Sequence, residues 1–126
     1  MNEKPSELAS NRRASHDYEI LETLESGIVL LGTEIKSIRD HGASLQESYV
    51  KVIRNEVWLV GAHIAHYKFG NTQNHEERRD RKLLLHKREI QQLKTATQEK
   101  GLTIIPLSLY LKKGKVKLRI GLCKGK

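Results

Sequence analysis

The sequence predicts a mainly β protein with short helices, built as a closed antiparallel barrel of the OB type with two or three flanking helices. Three observations favour this fold. Short runs of β-branched and aromatic residues are separated by turn residues, only a short and a longer stretch have helical periodicity, and no βαβ rhythm or internal repeat is present. Closure would remove the edges of strands too short to protect themselves. An open α+β sheet is the alternative.

The chain is predicted to form one domain after a polar leader. Residues 1–15 have no hydrophobic periodicity, so we expect a disordered or loosely docked leader followed by a single domain over residues 16–126. Order is expected to begin near His16 in the β-rich segment HDYEILETLESG. The strand then resumes in IVLL after a bulge or corner at Gly27.

A short helix and a hairpin are predicted after this strand. In GTEIKSIRDHG, Thr33 can cap the helix, Ile35 and Ile38 share one face, and Gly42 ends it. The segment SYVKVIRNEVWLVGAHIAHY contains two β-branched runs around Asn55, which can adopt the positive φ of a tight turn. The polar segment KFGNTQNHEERRD, which follows, is predicted to be a loop.

The longer helix and a second hairpin are predicted in the second half. Residues 85–100 lack Gly and Pro and have an apolar helical stripe that includes Leu85, Ile90 and Leu93. The segment LTIIPLSLYLKKGKVKLRIGL has the clearest alternation in the chain and turns at Lys113 and Gly114. One face of this hairpin is expected to carry Ile105, Leu107, Leu109 and Leu111, then Val116, Leu118, Ile120 and Leu122.

Positive charge is concentrated towards the C-terminus. The net charge is +8, with 8 cations and 12 acids in residues 1–77 but 15 cations and 3 acids in residues 78–126. This asymmetry favours a polyanionic partner over a role in solubility alone. A single cysteine and the lack of an apolar run long enough for a membrane span are typical of a soluble cytoplasmic protein without a membrane partner.

Cations form a row on the outer face of the last predicted strand. Alternation places Lys115, Lys117 and Arg119 about 6.5 to 7 Å apart, close to the repeat of a nucleic-acid backbone. Lys124 extends this segment, which has no acid over residues 112–126. Such a row can displace counterions from phosphates, so we interpret it as an RNA contact. The alternative is that the lysines only protect a sheet edge from aggregation.

The segment RDRKLLLHKREI is a second candidate binding site. Successive helical residues point about 100° apart, so at least one of its three leucines should be exposed on a helix. In one interpretation Leu83 and Leu85 enter the core and exposure of Leu84 is incidental. In the other, Leu84 contacts a sugar or base while the flanking cations hold phosphates. Those cations are Arg81, Lys82, Lys87 and Arg88.

Motifs for catalysis or for a small-molecule substrate are absent from the sequence. It contains no Gly-rich phosphate loop, HExxH or GxSxG, so we expect no enzyme and no cofactor. His63 and His66 are expected on opposite faces of a strand, which disfavours a metal site. The few aromatic residues favour a folded, largely double-helical RNA over single strands stacked on a platform.

Six segments occur in an order that a known family shares. They are NRRASHDYEI, GTEIKSIRDHGASLQESYV, VWLVGAHIAHY, RKLLLHKREI, PLSLY and VKLRIGLCKGK, within residues 11–126. The set resembles the small protein B family, the bacterial partner of transfer-messenger RNA, also called SsrA RNA. The resemblance implies an OB-type barrel that binds the tRNA-like domain of this RNA and enters stalled ribosomes for trans-translation. It implies a non-catalytic adaptor, which we expect to be monomeric when free, with transfer-messenger RNA and ribosomal RNA as partners.

The resemblance also implies individual RNA contacts at Glu25, Leu84 and His86. A carboxylate can accept hydrogen bonds from a guanine edge or a 2′-hydroxyl. Some family members carry Asn in place of His86, and of the two only His can become cationic near neutral pH. One alternative function is a generic OB-fold translation factor or rRNA-binding protein, and another is an RNA-processing enzyme that uses His and Lys.

The end of the sequence differs from the family pattern. Members normally continue past GKGK with a lysine-rich tail containing Asp-Lys-Arg, used in the decoding centre and mRNA channel, whereas this sequence ends at Lys126. We therefore expect the 126-residue chain to bind RNA without supporting tagging. Robust tagging by this chain would contradict that expectation.

Overall fold

Strands dominate the structure, a computed structural model that describes residues 6–70 and 73–126. Within these residues the strands are β1 (Ser6–Ser10), β2 (Tyr18–Ile28), β3 (Ala43–Ser44), β4 (Tyr49–Ile53), β5 (Glu56–Val60), β6 (His63–Ile64), β7 (Arg81–Leu84), β8 (Thr103–Lys112) and β9 (Lys115–Gly125). The helices are α1 (Ala14–Asp17), α2 (Gly32–Arg39) and α3 (Lys87–Gln98). The prediction of a mainly β fold with short helices is confirmed.

The main sheet closes on itself through its strand pairing. Strands β8, β4, β5, β7, β2 and β9 are neighbours in that order, and β9 pairs back with β8 to complete a ring of six. Every pairing in the ring is antiparallel. Strand β1 pairs with the second half of β8, and β3 and β6 form a separate two-stranded sheet. The ring places β2 between β7 and β9, which is the arrangement that builds the candidate site.

One apolar core joins the ring to the two longer helices. Inward-facing strand residues such as Val57 and Leu118 pack in one cluster with Ile38 of α2 and Leu93 of α3. Burying a side chain of this size stabilises the fold by about 1.5–3 kcal/mol. The stripe predicted for the longer helix is confirmed at Leu93, which is fully buried, and Ile90, which packs half-buried against the cluster.

The last hairpin forms as predicted, but its first strand changes face. Strands β8 and β9 pair along their length around Lys113 and Gly114, both with positive φ. The register shifts between Pro106 and Ser108, and such a bulge moves the residues before it to the other face. Ile105 therefore packs in a second cluster, away from Leu109 in the main core, so their predicted shared face is wrong. The face predicted for β9 is confirmed, since Val116, Leu118, Ile120 and Leu122 all pack in the main cluster.

The segment RKLL is a strand rather than the beginning of the longer helix. Its four residues form β7 between β5 and β2, and α3 begins at Lys87 after two intervening residues. Strand alternation turns Arg81 and Leu83 inwards and leaves Leu84 54% exposed. The prediction that one of the three leucines is exposed is thus confirmed. The cause is the alternation of side chains along a strand, not the spacing of about 100° between residues on a helix.

Three local features near the N-terminus also differ from prediction. Residues 6–10 of the expected leader form the paired strand β1, while residues 1–5 lie outside the described residues. The bulge in β2 falls between Ile20 and Glu22 and not at Gly27. Helix α2 is capped by its own Glu34 carboxylate, which accepts the Leu31 backbone N–H at 2.7 Å, and not by Thr33.

Candidate nucleic-acid interface

The side chains singled out by the family resemblance line one groove. Strand β2 ends at the point where Gly27 pairs with Leu84 of β7 on one side and Lys117 of β9 on the other. The groove above this junction has a volume of about 510 Å³. Its lining is Glu25, Ser26, Gly27, Leu84, Leu85, His86, Glu89 and Lys117. The ring therefore brings together residues from three separate parts of the chain.

Leu84 is held in an exposed position by its neighbours. Leu83 beside it is 2% exposed and anchors the strand in the core, so Leu84 must point the other way. A Cβ on Gly27 would lie 3.2 Å from the Leu84 Cβ, which leaves little space for a side chain there. The absence of a side chain at Gly27 allows β2 and β7 to approach closely under Leu84.

His86 occupies the cap position at the beginning of α3. Its backbone N–H donates to the Glu89 carboxylate at 2.9 Å. This bond gives a partner to a backbone donor at the helix N-terminus and fixes the direction in which the chain enters the helix. Its imidazole is exposed on the groove, next to the exposed Lys87 in the first turn. The side chain can accept or donate a hydrogen bond to a ligand lying against Leu84.

Glu25 lies on the opposite wall and is held by β8. The Tyr110 hydroxyl donates to Glu25 Oε2 at 2.6 Å, and Lys112 Nζ lies 3.3 Å from both carboxylate oxygens. The hydrogen bond from Tyr110 is the main cause that lowers the pKa of Glu25. Burial, followed by the bond to Glu25, raises the pKa of Tyr110 to about 12. Glu25 in the groove is thus an ionised carboxylate at neutral pH, and the buried Tyr110 that holds it is a neutral phenol.

The predicted cationic row lies along β9 beside the groove. Lys115, Lys117 and Arg119 pair with Lys112, Tyr110 and Ser108 of β8, respectively, so they share the outer face. Lys124 lies nine residues beyond Lys115, about 30 Å along the strand, where it pairs with Glu19. The structure therefore places Lys117 in the lining of the groove and Lys115 and Arg119 on the same face of β9 beside it. Lys124 lies at the far end of β9.

Arg81 does not belong to this surface, which corrects its prediction as a phosphate contact. Its guanidinium is fully buried, 2.7 Å from the Glu34 carboxylate, and it donates to the Ala62 carbonyl at 2.9 Å. Strand alternation turned this cation inwards and its neighbour Lys82 outwards. Lys82 is 43% exposed and pairs with Glu56 at 2.7 Å.

The buried pair belongs to a cluster that sequence reasoning missed. Glu34 also accepts a bond from Arg79, so one carboxylate receives two guanidinium groups and the Leu31 backbone N–H. Burial raises the pKa of Glu34, but the bonds from Arg79, Leu31 and Arg81 outweigh it and the net pKa is lowered. The acid in the first turn of α2 was the available signal in the sequence, because an acid there can also accept the backbone N–H at the helix end. The cluster ties α2 to the beginning of β7.

The histidines near β6 have partners within the protein. His63 lies 2.8 Å from Glu77, and the buried His75 bridges the Ile64 carbonyl and the Thr33 hydroxyl, each at 2.9 Å. Over residues 6–70 and 73–126, no group of three ligating side chains could hold a metal ion. In the same ranges, no helix is both long and apolar enough to cross a membrane.

A cationic strand beside an exposed leucine, a histidine and an ionised carboxylate has the chemistry of an RNA-binding protein. The family model for the SmpB protein matches residues 8–126, and the chain belongs to this family.

Individual relatives are similar over nearly the whole chain. An SsrA-binding protein of Protochlamydia amoebophila (strain UWE25) is 71% identical over 100% of this chain and 82% of its own length. The SsrA-binding protein of Chlamydia muridarum (strain MoPn / Nigg) is 60% identical over 95% of this chain and 80% of its own length. A chain from a solved structure, described as "tmRNA-SmpB: a journey to the center of the bacterial ribosome", aligns with a TM-score of 0.77. That chain is 46% identical, and the alignment covers 93% of this chain and 82% of that one.

Proposed function

We propose that this protein binds the tRNA-like domain of transfer-messenger RNA and delivers it to stalled ribosomes, as a non-catalytic adaptor in the cytoplasm. The observation that carries the proposal is the groove in which Glu25, Leu84, His86 and Lys117 meet. The relatives named SsrA-binding protein and the solved tmRNA-SmpB structure support the same partner class.

We further propose that the strand ring is a closed barrel of the OB type and that residues 16–126 form one domain, to which the paired strand β1 also belongs. Two features support this. The β8–β9 pairing completes the ring, and a single cluster of buried side chains joins its strands to α2 and α3. A rigid closed sheet would hold the groove residues of β2, β7 and β9 at constant separation. We expect the free protein to be a monomer.

The cations in and beside the groove are suited by their chemistry to bind phosphates. Lys115, Lys117 and Arg119 would contact phosphates at a spacing of about 6.5 to 7 Å, which positions the RNA without reading its sequence. Lys82 and Lys87 would contribute further charge beside the groove, and Lys124 would contact a more distant part of the RNA.

Recognition of the particular RNA is assigned to the remaining groove residues. Leu84 would pack on an exposed base or sugar, which removes apolar surface from water. Glu25 would accept hydrogen bonds from base donors or a 2′-hydroxyl, and His86 would bond beside it. These contacts need unpaired or exposed nucleotides, so a folded RNA with a defined loop is favoured over a uniform helix.

Binding of the 126-residue chain to two RNAs across a salt series tests this function. The isolated tRNA-like domain of transfer-messenger RNA is compared with an elongator tRNA. We expect tight and selective binding to the first. Equal, weak binding to both would overturn the proposal, and ribosome binding without this preference would favour the generic rRNA-binding alternative.

The cationic row is tested by the double variant Lys115→Ala, Lys117→Ala in the same series. We expect the slope of log affinity against log salt to decrease by about 1.4 to 1.8, because each lost phosphate contact contributes about 0.7 to 0.9. Both RNAs should be affected, since these contacts are independent of sequence. An unchanged slope would remove the row from the interface.

A further inference from the structure

Glu25 in the groove and Arg119 beside it carry opposite charges on neighbouring strands and yet do not pair. Glu25 of β2 and Arg119 of β9 are direct partners in the strand register. Residues directly opposed across antiparallel strands have Cβ atoms about 5 Å apart, and opposite charges at this separation attract each other. Among the ion pairs of the described residues, however, Glu25 pairs with Lys112 and not with Arg119.

Tyr110 contacts both of these side chains. Its hydroxyl donates to Glu25 Oε2 at 2.6 Å, and the Arg119 guanidinium carbon lies 5.5 Å from the centre of its ring, within range of a cation–π contact. The tyrosine is 3% exposed, so its ring and hydroxyl have a fixed position in β8. One buried side chain therefore determines where a carboxylate and a guanidinium point.

The contact between Glu25 and Lys112 is weaker than the bond from Tyr110. Lys112 Nζ lies 3.3 Å from the carboxylate and its side chain is 48% exposed. Exposed ion pairs of this kind add little, because water screens the charges and the long side chain loses freedom. The short bond from the buried hydroxyl thus sets the orientation of the carboxylate.

We propose that Tyr110 is a positioning and specificity-determining residue, which holds Glu25 and Arg119 apart and presents both to RNA. This inference rests on the RNA-binding function proposed above. With Oε2 bonded to Tyr110, Oε1 has only the 3.3 Å contact from the exposed Lys112 and can also accept a base N–H or a 2′-hydroxyl. Arg119 can hold a neighbouring phosphate.

Specificity follows from placing one carboxylate within a cationic surface. A phosphate lying against Glu25 is repelled, whereas a hydrogen-bond donor is accepted, so only an RNA that offers a donor at this point gains the full set of contacts. If Glu25 instead paired with Arg119, both charges would be neutralised and the RNA would have to break the pair. The hydrogen bond from the Tyr110 hydroxyl keeps Glu25 from pairing with Arg119, so both charges stay available to the RNA.

The test compares Tyr110→Phe, Glu25→Gln, the double variant and the wild-type chain for binding to the tRNA-like domain and to elongator tRNA at one salt concentration. Tyr110→Phe keeps the ring and removes the hydroxyl. We expect it to weaken binding to the tRNA-like domain about tenfold, as for loss of a hydrogen bond to a charged group. Binding to elongator tRNA should weaken less, because there only the phosphate contact of Arg119 is affected. Glu25→Gln should have a similar effect, and the double variant should bind no more weakly than Glu25→Gln alone, because Tyr110 acts through Glu25.

The matched control is Tyr49→Phe, which removes the hydroxyl of an exposed tyrosine on β4 and should bind like the wild type. Thermal unfolding of each variant establishes that binding is measured on folded protein. The inference is overturned if Tyr110→Phe binds RNA like Tyr49→Phe, or if both RNAs lose affinity equally. It is also overturned if the losses of affinity in Tyr110→Phe and Glu25→Gln multiply in the double variant. A wild-type chain that does not distinguish the two RNAs contradicts the proposed function instead.

Discussion

The two ends of β7 reverse the usual relation between residue type and burial. Arg81 at the first end is fully buried with its charge, while Leu84 at the last end is 54% exposed with its apolar side chain. The buried cation is bonded to Glu34, the Ala62 carbonyl and the Glu77 carbonyl, which ties β7 to α2 and to the preceding loop. One end of this short strand is therefore an anchor, and the other end is free to contact a partner.

The largest effect is expected when the anchor is broken. Arg81→Met keeps much of the side-chain volume but removes one of the guanidinium groups that neutralise the buried Glu34. Loss of one partner of a buried pair costs about 3–5 kcal/mol, because a charge is left without compensation. Urea unfolding measures the change in the free energy of unfolding.

Lys82→Met is the control for this substitution. It removes the cation next in sequence, whose exposed pair with Glu56 lies on the solvent side of the same strand. The expected change in the free energy of unfolding is within about 1 kcal/mol. Similar losses in the two variants would mean that burial of the Arg81 charge is not what anchors β7.

A smaller loss is expected when the anchor is weakened by acid. The pKa of Glu34 is lowered below its ordinary value of 4.5 in the folded protein. Its stabilising contribution is therefore complete above pH 4.5, the unfolded value, and is lost as the pH falls through the folded value. Unfolding of the wild type and Glu34→Gln is compared from pH 7 downwards.

The difference between these two curves isolates Glu34 from other carboxylates. Glu25 and Glu77 also have lowered pKa values and lose their contributions in the same acidic range in both proteins. We expect Glu34→Gln to be less stable than the wild type at neutral pH and to approach it below pH 4.5. A constant difference at all pH values would show that the carboxylate charge is not responsible.

The smallest effect on the fold is expected at the free end. Leu84→Ala should change the free energy of unfolding by no more than about 0.5 kcal/mol, because the side chain is largely exposed already. It should weaken binding to the tRNA-like domain about tenfold, which corresponds to the lost burial of an apolar side chain against the RNA. Affinity and urea unfolding are measured on the same preparation.

Leu83→Ala is the matched substitution at the buried neighbour of Leu84. Leu83 is 2% exposed, so truncation leaves a cavity and should cost about 2–5 kcal/mol of stability. Its effect on RNA affinity should be small in conditions where the variant is fully folded. If Leu84→Ala destabilises the protein as much as Leu83→Ala, the exposed end of β7 has a structural role.

In the last hairpin, the sequence pattern predicted most features but not the bulge in β8. Alternation predicted both strands, the turn at Lys113 and Gly114, and the outward row from Lys115 to Arg119. It did not predict the bulge between Pro106 and Ser108, which places Ile105 in a different cluster from Leu109. A bulge depends on the partner strand, so a pattern within one strand does not reveal it.

The binding groove was predictable only through the family resemblance. Glu25, Leu84 and His86 were expected to contact RNA because their segments match the family, while their residue types alone left Leu84 undecided and did not indicate Glu25. The link from Tyr110 to Glu25 had no sequence signal, because the two residues are distant in sequence and meet across β9.

The sequence by itself determined the properties that depend on near neighbours. These are the mainly β composition with short helices, the turns at Asn55 and Lys113, and the cationic character of residues 112–126. Local backbone preference and side-chain alternation are sufficient for each of them.

The tertiary structure decided which of two adjacent cations became buried and which distant groups met. Alternation along a strand puts Arg81 and Lys82 on opposite faces of the sheet. Only the pairing of β7 within the ring and the presence of Glu34 determine which of the two faces the core. In the same way, Glu25 meets Tyr110 because β9 holds β2 and β8 on its two sides. Burial and charge pairing are properties of the assembled sheet, since they depend on residues that the chain brings together only on folding.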